Sequence, residues 1–198
     1  MQVKPPSNPG RRKFLITTTS LLGAGAIAGT AVPFLRAFNP SEKAEAASAP
    51  TRADVSKLNK GEMMLVEWRG VPIYIIRHSN ESLAVLNNNL SRLSDPDSLK
   101  DQQPDYAKNK NRSIREDIVV LSGVCTHLSC TPKFYPELGS TDFDIDWQGG
   151  FFCPCHGSKF DLVGRVYSGV PAPTNLAVPP HYYESDDILV IGEDGEVS

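Results

Sequence analysis

Cys125-Thr126-His127-Leu128-Ser129-Cys130 and Cys153-Pro154-Cys155-His156-Gly157-Ser158, with 25 residues between His127 and Cys153, hold all four cysteines of the 198-residue chain and two of its four histidines. Cysteines so confined serve a site and not a set of staples across the whole chain. The two hexapeptides offer six candidate metal ligands. A structural zinc site draws on the same residue types but takes four ligands, which would leave two over. Two loops that each give one Cys and one His fit a two-iron, two-sulfide centre in which imidazoles replace two thiolates on one iron. On the residues alone, zinc stays open as the alternative.

Outward from these loops, Met63–Trp68 and Val71–Arg77 are short runs of β-branched, aromatic and other apolar residues broken by Arg69-Gly70, and predict paired strands. Ile118–Leu121 and Ile188–Ile191 predict two more. Leu83, Leu86, Leu90 and Leu93 recur at helical spacing and lead into a polar, proline-containing stretch to about Arg115, which reads as a helix-and-loop insertion. Gly and Pro cluster at 149–157 and 164–180, so the C-terminal third reads as loops carried on short strands. His78 and His181 lie outside both hexapeptides and are assigned surface or structural roles. Trp68 and Trp147 are assigned to packing.

Phe14 to Leu35 is 22 residues without a charge. At helical rise it spans roughly 33 Å, enough for a hydrocarbon core of about 30 Å. Lys4, Arg11, Arg12 and Lys13 precede it, which places the N-terminus in the cytoplasm and the rest of the chain on the far side of the membrane. Arg11-Arg12-Lys13-Phe14-Leu15 resembles a twin-arginine export signal, a route that carries folded proteins and so suits a cofactor inserted before export. Ala47-Ser48-Ala49 has the small residues of a cleavage site but stands 13 residues beyond Leu35, so the leader is expected to stay as an anchor. The expected organisation is a basic N-terminus over 1–13, a membrane anchor over 14–38, a polar, Ala-rich hinge linker over 39–54, and a head over 55–198. All 23 acidic residues lie after position 41, against 15 of the 20 basic ones, so that region carries a net charge of −8. Such a surface argues against nucleic-acid binding and suits docking on basic patches of a partner.

The pattern C-T-H-L-x-C followed by C-P-C-H-G-S resembles the Rieske iron–sulfur subunit of cytochrome bc complexes. The resemblance implies a mainly β fold, an antiparallel β-sandwich head with a small cluster-binding subdomain over about 123–175. It implies a [2Fe–2S] cluster held by Cys125, His127, Cys153 and His156, and a disulfide between Cys130 and Cys155. Ser158 matches a serine that donates to a cluster sulfide, and Leu128 covers the cluster as part of an apolar docking tip. Gly169-Val170-Pro171-Ala172-Pro173 resembles a proline loop over the cluster, with Val170 where the family often has proline. Phe160 stands where many relatives have a tyrosine that donates to a cysteine ligand, so a lower potential is expected here. Ser129 replaces a common glycine.

Such a ligand set places the potential within roughly −150 to +300 mV, and the outer imidazole nitrogens couple electron to proton uptake. The implied activity is that of a subunit of ubiquinol–cytochrome c reductase, not catalytic alone. One electron comes from ubiquinol held by cytochrome b, with a proton to His156, and the electron passes to a c-type cytochrome in a dimeric complex of the inner membrane, with a periplasmic head. The rival is the Rieske relay of a periplasmic molybdenum oxidase such as arsenite oxidase, which needs no quinol.

Overall fold

The computed structural model describes residues 8–41, 44, 46, 49–86, 88 and 90–195, and it divides into two units, Met1–Ala46 and Ala47–Ser198. In the first, α1 (Pro9–Ala37) takes in the whole apolar run and extends back through the basic cluster. Asn8 caps it, its side-chain oxygen accepting from the Arg11 N–H at 3.1 Å, and Pro9 occupies the first turn, where its missing N–H costs nothing. Thr19 and Thr30 donate their hydroxyls back to the carbonyls of Leu15 and Ala26, at 2.7 and 2.9 Å, so these two polar side chains are satisfied within the helix itself. The helix is long and apolar enough to cross a membrane.

The expected linker 39–54 needs a correction. Residues 42, 43, 45, 47 and 48, and with them most of Ala47-Ser48-Ala49, lie outside the described residues, but Thr51–Asp54 is a strand, β1. It pairs antiparallel with β9 (Ile188–Ile191), Thr51 opposite Ile191, and buries Ala53. Thr-Arg-Ala-Asp has little strand propensity of its own. The exposed edge of β9 recruits it, a tertiary effect that composition does not reveal. The head therefore starts at Thr51, ahead of the expected 55.

Among the described residues, nine strands form three antiparallel sheets of three: β1-β9-β8, β2-β3-β4 and β5-β6-β7. Here β2 is Met63–Trp68, β3 Val71–Arg77, β4 Ile118–Ser122, β5 Lys133–Gly139, β6 Trp147–Cys153, β7 Ser158–Phe160 and β8 His181–Tyr183. The β2-β3-β4 sheet is the middle layer. Ile73 and Ile75 of β3, with Ile118 and Val120 of β4, pack with Leu189 and Ile191 of β9; the alternate residues Tyr74, Ile76, Val119 and Leu121 pack with Phe151, Phe160 and Leu162 beneath the Cys/His loops. Burial on both faces explains the near-continuous apolar runs in β3 and β4, where a half-exposed strand would alternate.

Between β3 and β4 the leucine spacing does not produce one helix. α2 (Asn80–Val85), capped by Ser79, stops short, and Leu90–Arg92 is a separate 3₁₀ turn. The sequence between them is Asn87-Asn88-Asn89, a residue type of low helix propensity whose amide competes for backbone hydrogen bonds. Two buried guanidiniums fasten this insertion to the loops after β7. Arg112 donates to the carbonyls of Val163 and Leu176 and to Gln103 Oε1, and burial pushes its pKa down to about 10. Arg165 donates to Asp161 and to the Leu86 carbonyl, both at 2.6 Å.

His78 and His181 are both buried, structural and not on the surface. His78, just after β3, has no hydrogen-bond partner on either ring nitrogen, and burial pushes its pKa down to about 4 against the opposing pull of Asp161 and Asp117. Unfolding exposes an imidazole that takes up a proton below about 6.5, whereas the folded one waits until about 4. His78 therefore leaves stability full above pH 6.5 and withdraws up to about 3 kcal/mol as pH falls to 4. In chemical denaturation of the detergent-solubilised chain, His78→Leu is expected to flatten the loss of stability between pH 6.5 and 4; an unchanged slope would show that His78 is not its source.

Candidate metal centre

The first Cys/His loop follows β4 and the second joins β6 to β7, so the register Cys153–Ser158 at the end of the β6–β7 pair fixes where the second loop begins and closes. In the first, the Cys125 N–H donates to the Cys130 carbonyl at 2.7 Å and the Ser129 N–H to the Cys125 carbonyl at 3.0 Å. In the second, the Gly157 N–H donates to the Cys153 carbonyl at 3.0 Å, with Gly157 at φ +76°. Each loop is thus a closed turn with its first cysteine at the base.

Cys130 and Cys155 form a disulfide joining the two loops, Cα atoms 6.8 Å apart. Cys125 and Cys153 are free thiols, each 2% exposed. They neighbour each other, and burial above all pushes the Cys125 thiol up; the backbone at His127 and the Ser158 hydroxyl pull the other way. The rings of His127 and His156 stand edge-to-face with centroids 4.8 Å apart, His127 half-buried and His156 exposed. Leu128 beside them is 65% exposed.

The sulfurs of Cys130, Cys153 and Cys155 also lie within 4.8 Å of one another. Two of the three are consumed by the disulfide and offer no thiolate, so that grouping is not a ligand set. What remains is two buried thiols and two neighbouring imidazoles, one half-buried and one exposed, on two loops joined by the disulfide. This donor set fits a two-iron centre whose thiolate-bound iron is shielded and whose imidazole-bound iron reaches solvent.

The structure also brings in residues that composition and spacing did not reveal. Tyr74 of β3 donates to the Pro132 carbonyl at 2.7 Å, just beyond Cys130, and stacks on Phe151 with centroids 5.4 Å apart. Gly123 gives it room: a Cβ there would stand 2.8 Å from the Tyr74 ring. The segment 169–174 runs beside both loops. The Ala172 N–H donates to Ser158 Oγ at 3.1 Å, and Thr126 Oγ1 donates to the Thr174 carbonyl at 2.7 Å. Lys100 of the insertion donates to the Pro173 carbonyl at 2.8 Å. Val170 is half-buried against the core, where it packs near Tyr167, Trp147 and Leu93. Phe160 is fully buried and lies opposite Phe151 in the β6–β7 ladder. Thr126 and Ala172 lay inside stretches already singled out, and the sequence signal for them was only that position.

Residues 100–180 match the family described as "Rieske [2Fe-2S] domain", and residues 1–41 match "Ubiquitinol-cytochrome C reductase Fe-S subunit TAT signal". The chain is similar to the "Ubiquinol-cytochrome c reductase iron-sulfur subunit" of Allochromatium vinosum, 50% identical over 94% of this chain and 90% of the relative. It is also similar to the subunit of the same name from Rhodospirillum rubrum, 38% identical over 95% of this chain and 94% of the relative. Among solved structures, a chain of "Hyperthermophilic respiratory Complex III" aligns with a TM-score of 0.48 at 26% identity, covering 87% of this chain and 97% of that one.

Ser129 sits at φ +62°, a left-handed conformation that costs a residue with a Cβ about 1–2 kcal/mol and a glycine nearly nothing. Ser129→Gly is expected to stabilise the head by about 1 kcal/mol, partly offset by the freer unfolded chain. A thermal unfolding midpoint raised by a few degrees would show this, and an unchanged or lowered one would contradict it.

Proposed function

Because the chain belongs to the ubiquinol–cytochrome c reductase iron–sulfur subunits, a family of Rieske [2Fe–2S] proteins, we propose that Cys125, His127, Cys153 and His156 hold its cluster and that His156 meets the quinol. The protein is the electron-transfer subunit of an oxidoreductase complex and carries a Rieske cluster. The observation that carries the residue assignment is that two loops bridged by the disulfide bring together two free, buried thiols and two neighbouring imidazoles.

When bound, the cluster supplies one-electron acceptance at high potential, because neutral imidazoles make their iron easier to reduce. The protein's own residues do the rest. Cys125 and Cys153, buried at the loop bases, keep solvent from the thiolate side. His156, exposed at the tip, presents an outer ring nitrogen to the quinol hydroxyl, accepts its hydrogen bond and then its proton. Leu128 and the outward-turned Pro171 give the tip an apolar rim that docks on the quinol-holding subunit and excludes water there. The Cys130–Cys155 bridge keeps the loops together as the charge of the site changes.

The finer assembly belongs to the same proposal. The partners are cytochrome b, which holds ubiquinol, and a c-type cytochrome that takes the electron, in a dimeric complex. α1 anchors the chain in the inner membrane, its basic end in the cytoplasm and the head in the periplasm, and the leader is retained. The acidic surface of the head suits basic docking patches. The tether that lets the head move between partners is the part of 39–54 ahead of β1. The relatives' names support the reductase over an oxidase relay.

Electron paramagnetic resonance of the reduced protein in its native membrane, with and without a quinol-site inhibitor, tests this. A Rieske signal that the inhibitor shifts is expected; an indifferent signal would favour the oxidase relay, and no signal would return the site to zinc. Potentiometric titration should place Ser158→Ala below the wild type and Phe160→Tyr above it, and equal potentials in all three would refute tuning by hydroxyls. Replacing Cys130 and Cys155 together by Ser should leave the cluster labile, seen as faster bleaching of its visible absorbance on warming.

A further inference from the structure

The segment Pro171-Ala172-Pro173 has a single backbone donor, because neither proline carries an N–H. The prolines face solvent while Ala172 is 5% exposed, and its N–H points inward to Ser158 Oγ at 3.1 Å. Ser158 is 1% exposed, so no solvent competes for it. A hydroxyl has one proton and two lone pairs. The Cys125 thiol neighbours the Ser158 hydroxyl, and Cys153 lies opposite Ser158 in the β6–β7 ladder; once one lone pair is engaged by Ala172, the rotor is restrained and its proton is left for these neighbours.

The other end of the segment is fixed independently. Thr126, between Cys125 and His127, donates to the Thr174 carbonyl at 2.7 Å. The segment thus touches both ligand loops, receiving from the first and donating to the second.

We propose that the Ala172 amide is a positioning group for the electron-transfer site: through Ser158 it aims a hydroxyl proton at the cluster sulfurs, so the seating of the 169–174 segment sets the reduction potential. The proposal rests on the ligand assignment above and goes beyond it, since it makes the potential depend on a backbone donor that touches no ligand. The physical reason is that a hydrogen bond into a sulfur stabilises the reduced, more negative state only while its proton points there. In a buried site such linked bonds also polarise one another. A hydroxyl free to rotate delivers the same bond for only part of the time.

The experiment is potentiometric titration of the cluster, followed by its paramagnetic signal, in membranes carrying the full complex. Four proteins are compared with the wild type: Ala172→Pro, which removes the donor while adding a ring that fixes φ; Ala172→Gly, which keeps the donor; Ser158→Ala; and the double variant Ser158→Ala/Ala172→Pro. Ala172→Pro should lower the potential in the direction of Ser158→Ala, Ala172→Gly should lie close to the wild type, and the double variant should fall no lower than Ser158→Ala alone. An unchanged potential in Ala172→Pro, or full additivity in the double variant, would overturn the relay, since a loop that merely shields the cluster acts whether or not Ser158 has a hydroxyl. If Ala172→Pro holds no cluster, amide hydrogen exchange decides: the Ala172 N–H should be protected in the wild type and exchange faster in Ser158→Ala, and equal exchange in the two would refute the bond. Absence of any Rieske signal in the wild type would instead remove the ligand assignment itself.

Discussion

Under the proposed ligand assignment, two loops separated by 25 residues between His127 and Cys153 have to present four ligand atoms at one place. The Cys130–Cys155 disulfide meets that constraint directly, by making the loops one covalent object. Much of the head can be understood as support for that object. The β6–β7 register sets where the second loop starts and ends, Tyr74 reaches from the middle sheet to the chain just beyond Cys130, and the proline segment lies against both loops at once. A cross-link alone would fix the separation of the loops but not their tilt. The hydrogen bonds at Pro132, Ser158 and Thr174 supply the remaining restraints.

The insertion between β3 and β4 is held by polar contacts as well as by Leu86, Leu93 and Ala107 in the core. Arg112 and Arg165 are almost fully buried and donate to backbone carbonyls, the Gln103 side-chain oxygen and one carboxylate, Asp161. Asn175 joins the same region, accepting from the Val166 N–H and donating to the Asp95 carbonyl and the Ser98 hydroxyl. Buried charges are weak sources of net stability, but removing one partner leaves the other stranded, so such a network selects one arrangement of the loops over near alternatives. Lys100 then carries this rigidity to Pro173, beside the site.

The sequence disclosed those parts whose signal is local. β2 and β3 appear at the bounds that their apolar runs and the Arg69-Gly70 break predict, and the hexapeptides announce their chemistry through residue type and spacing. β1 was hidden because Thr-Arg-Ala-Asp becomes a strand only when β9 is there to pair with it. β5 was missed because it contains a proline and a register shift between Tyr135 and Leu138, both of which blur the alternation that marks a strand. The leucine spacing over 83–93 suggested one helix, whereas the described residues form a short helix ending at Val85 and a separate 3₁₀ turn from Leu90. The buried arginines gave no warning, since an arginine reads as surface until its carbonyl partners are known. The site residues beyond the motifs, Tyr74 and Ala172, act through a ring stack and a backbone amide, and neither leaves a mark on composition.

The pairing of β1 with β9 bears on how the protein is made. The strand that opens the head is completed by one that leaves the ribosome only after nearly all the rest of the head, and β8 joins the other side of β9 in the same sheet. The export-signal segment therefore emerges ahead of the head, while the sheet that begins with β1 cannot close until β9 has been made. The order of the strands thus builds a delay between the address and the readiness of the cargo, in a protein whose leader resembles that of a route reserved for folded chains.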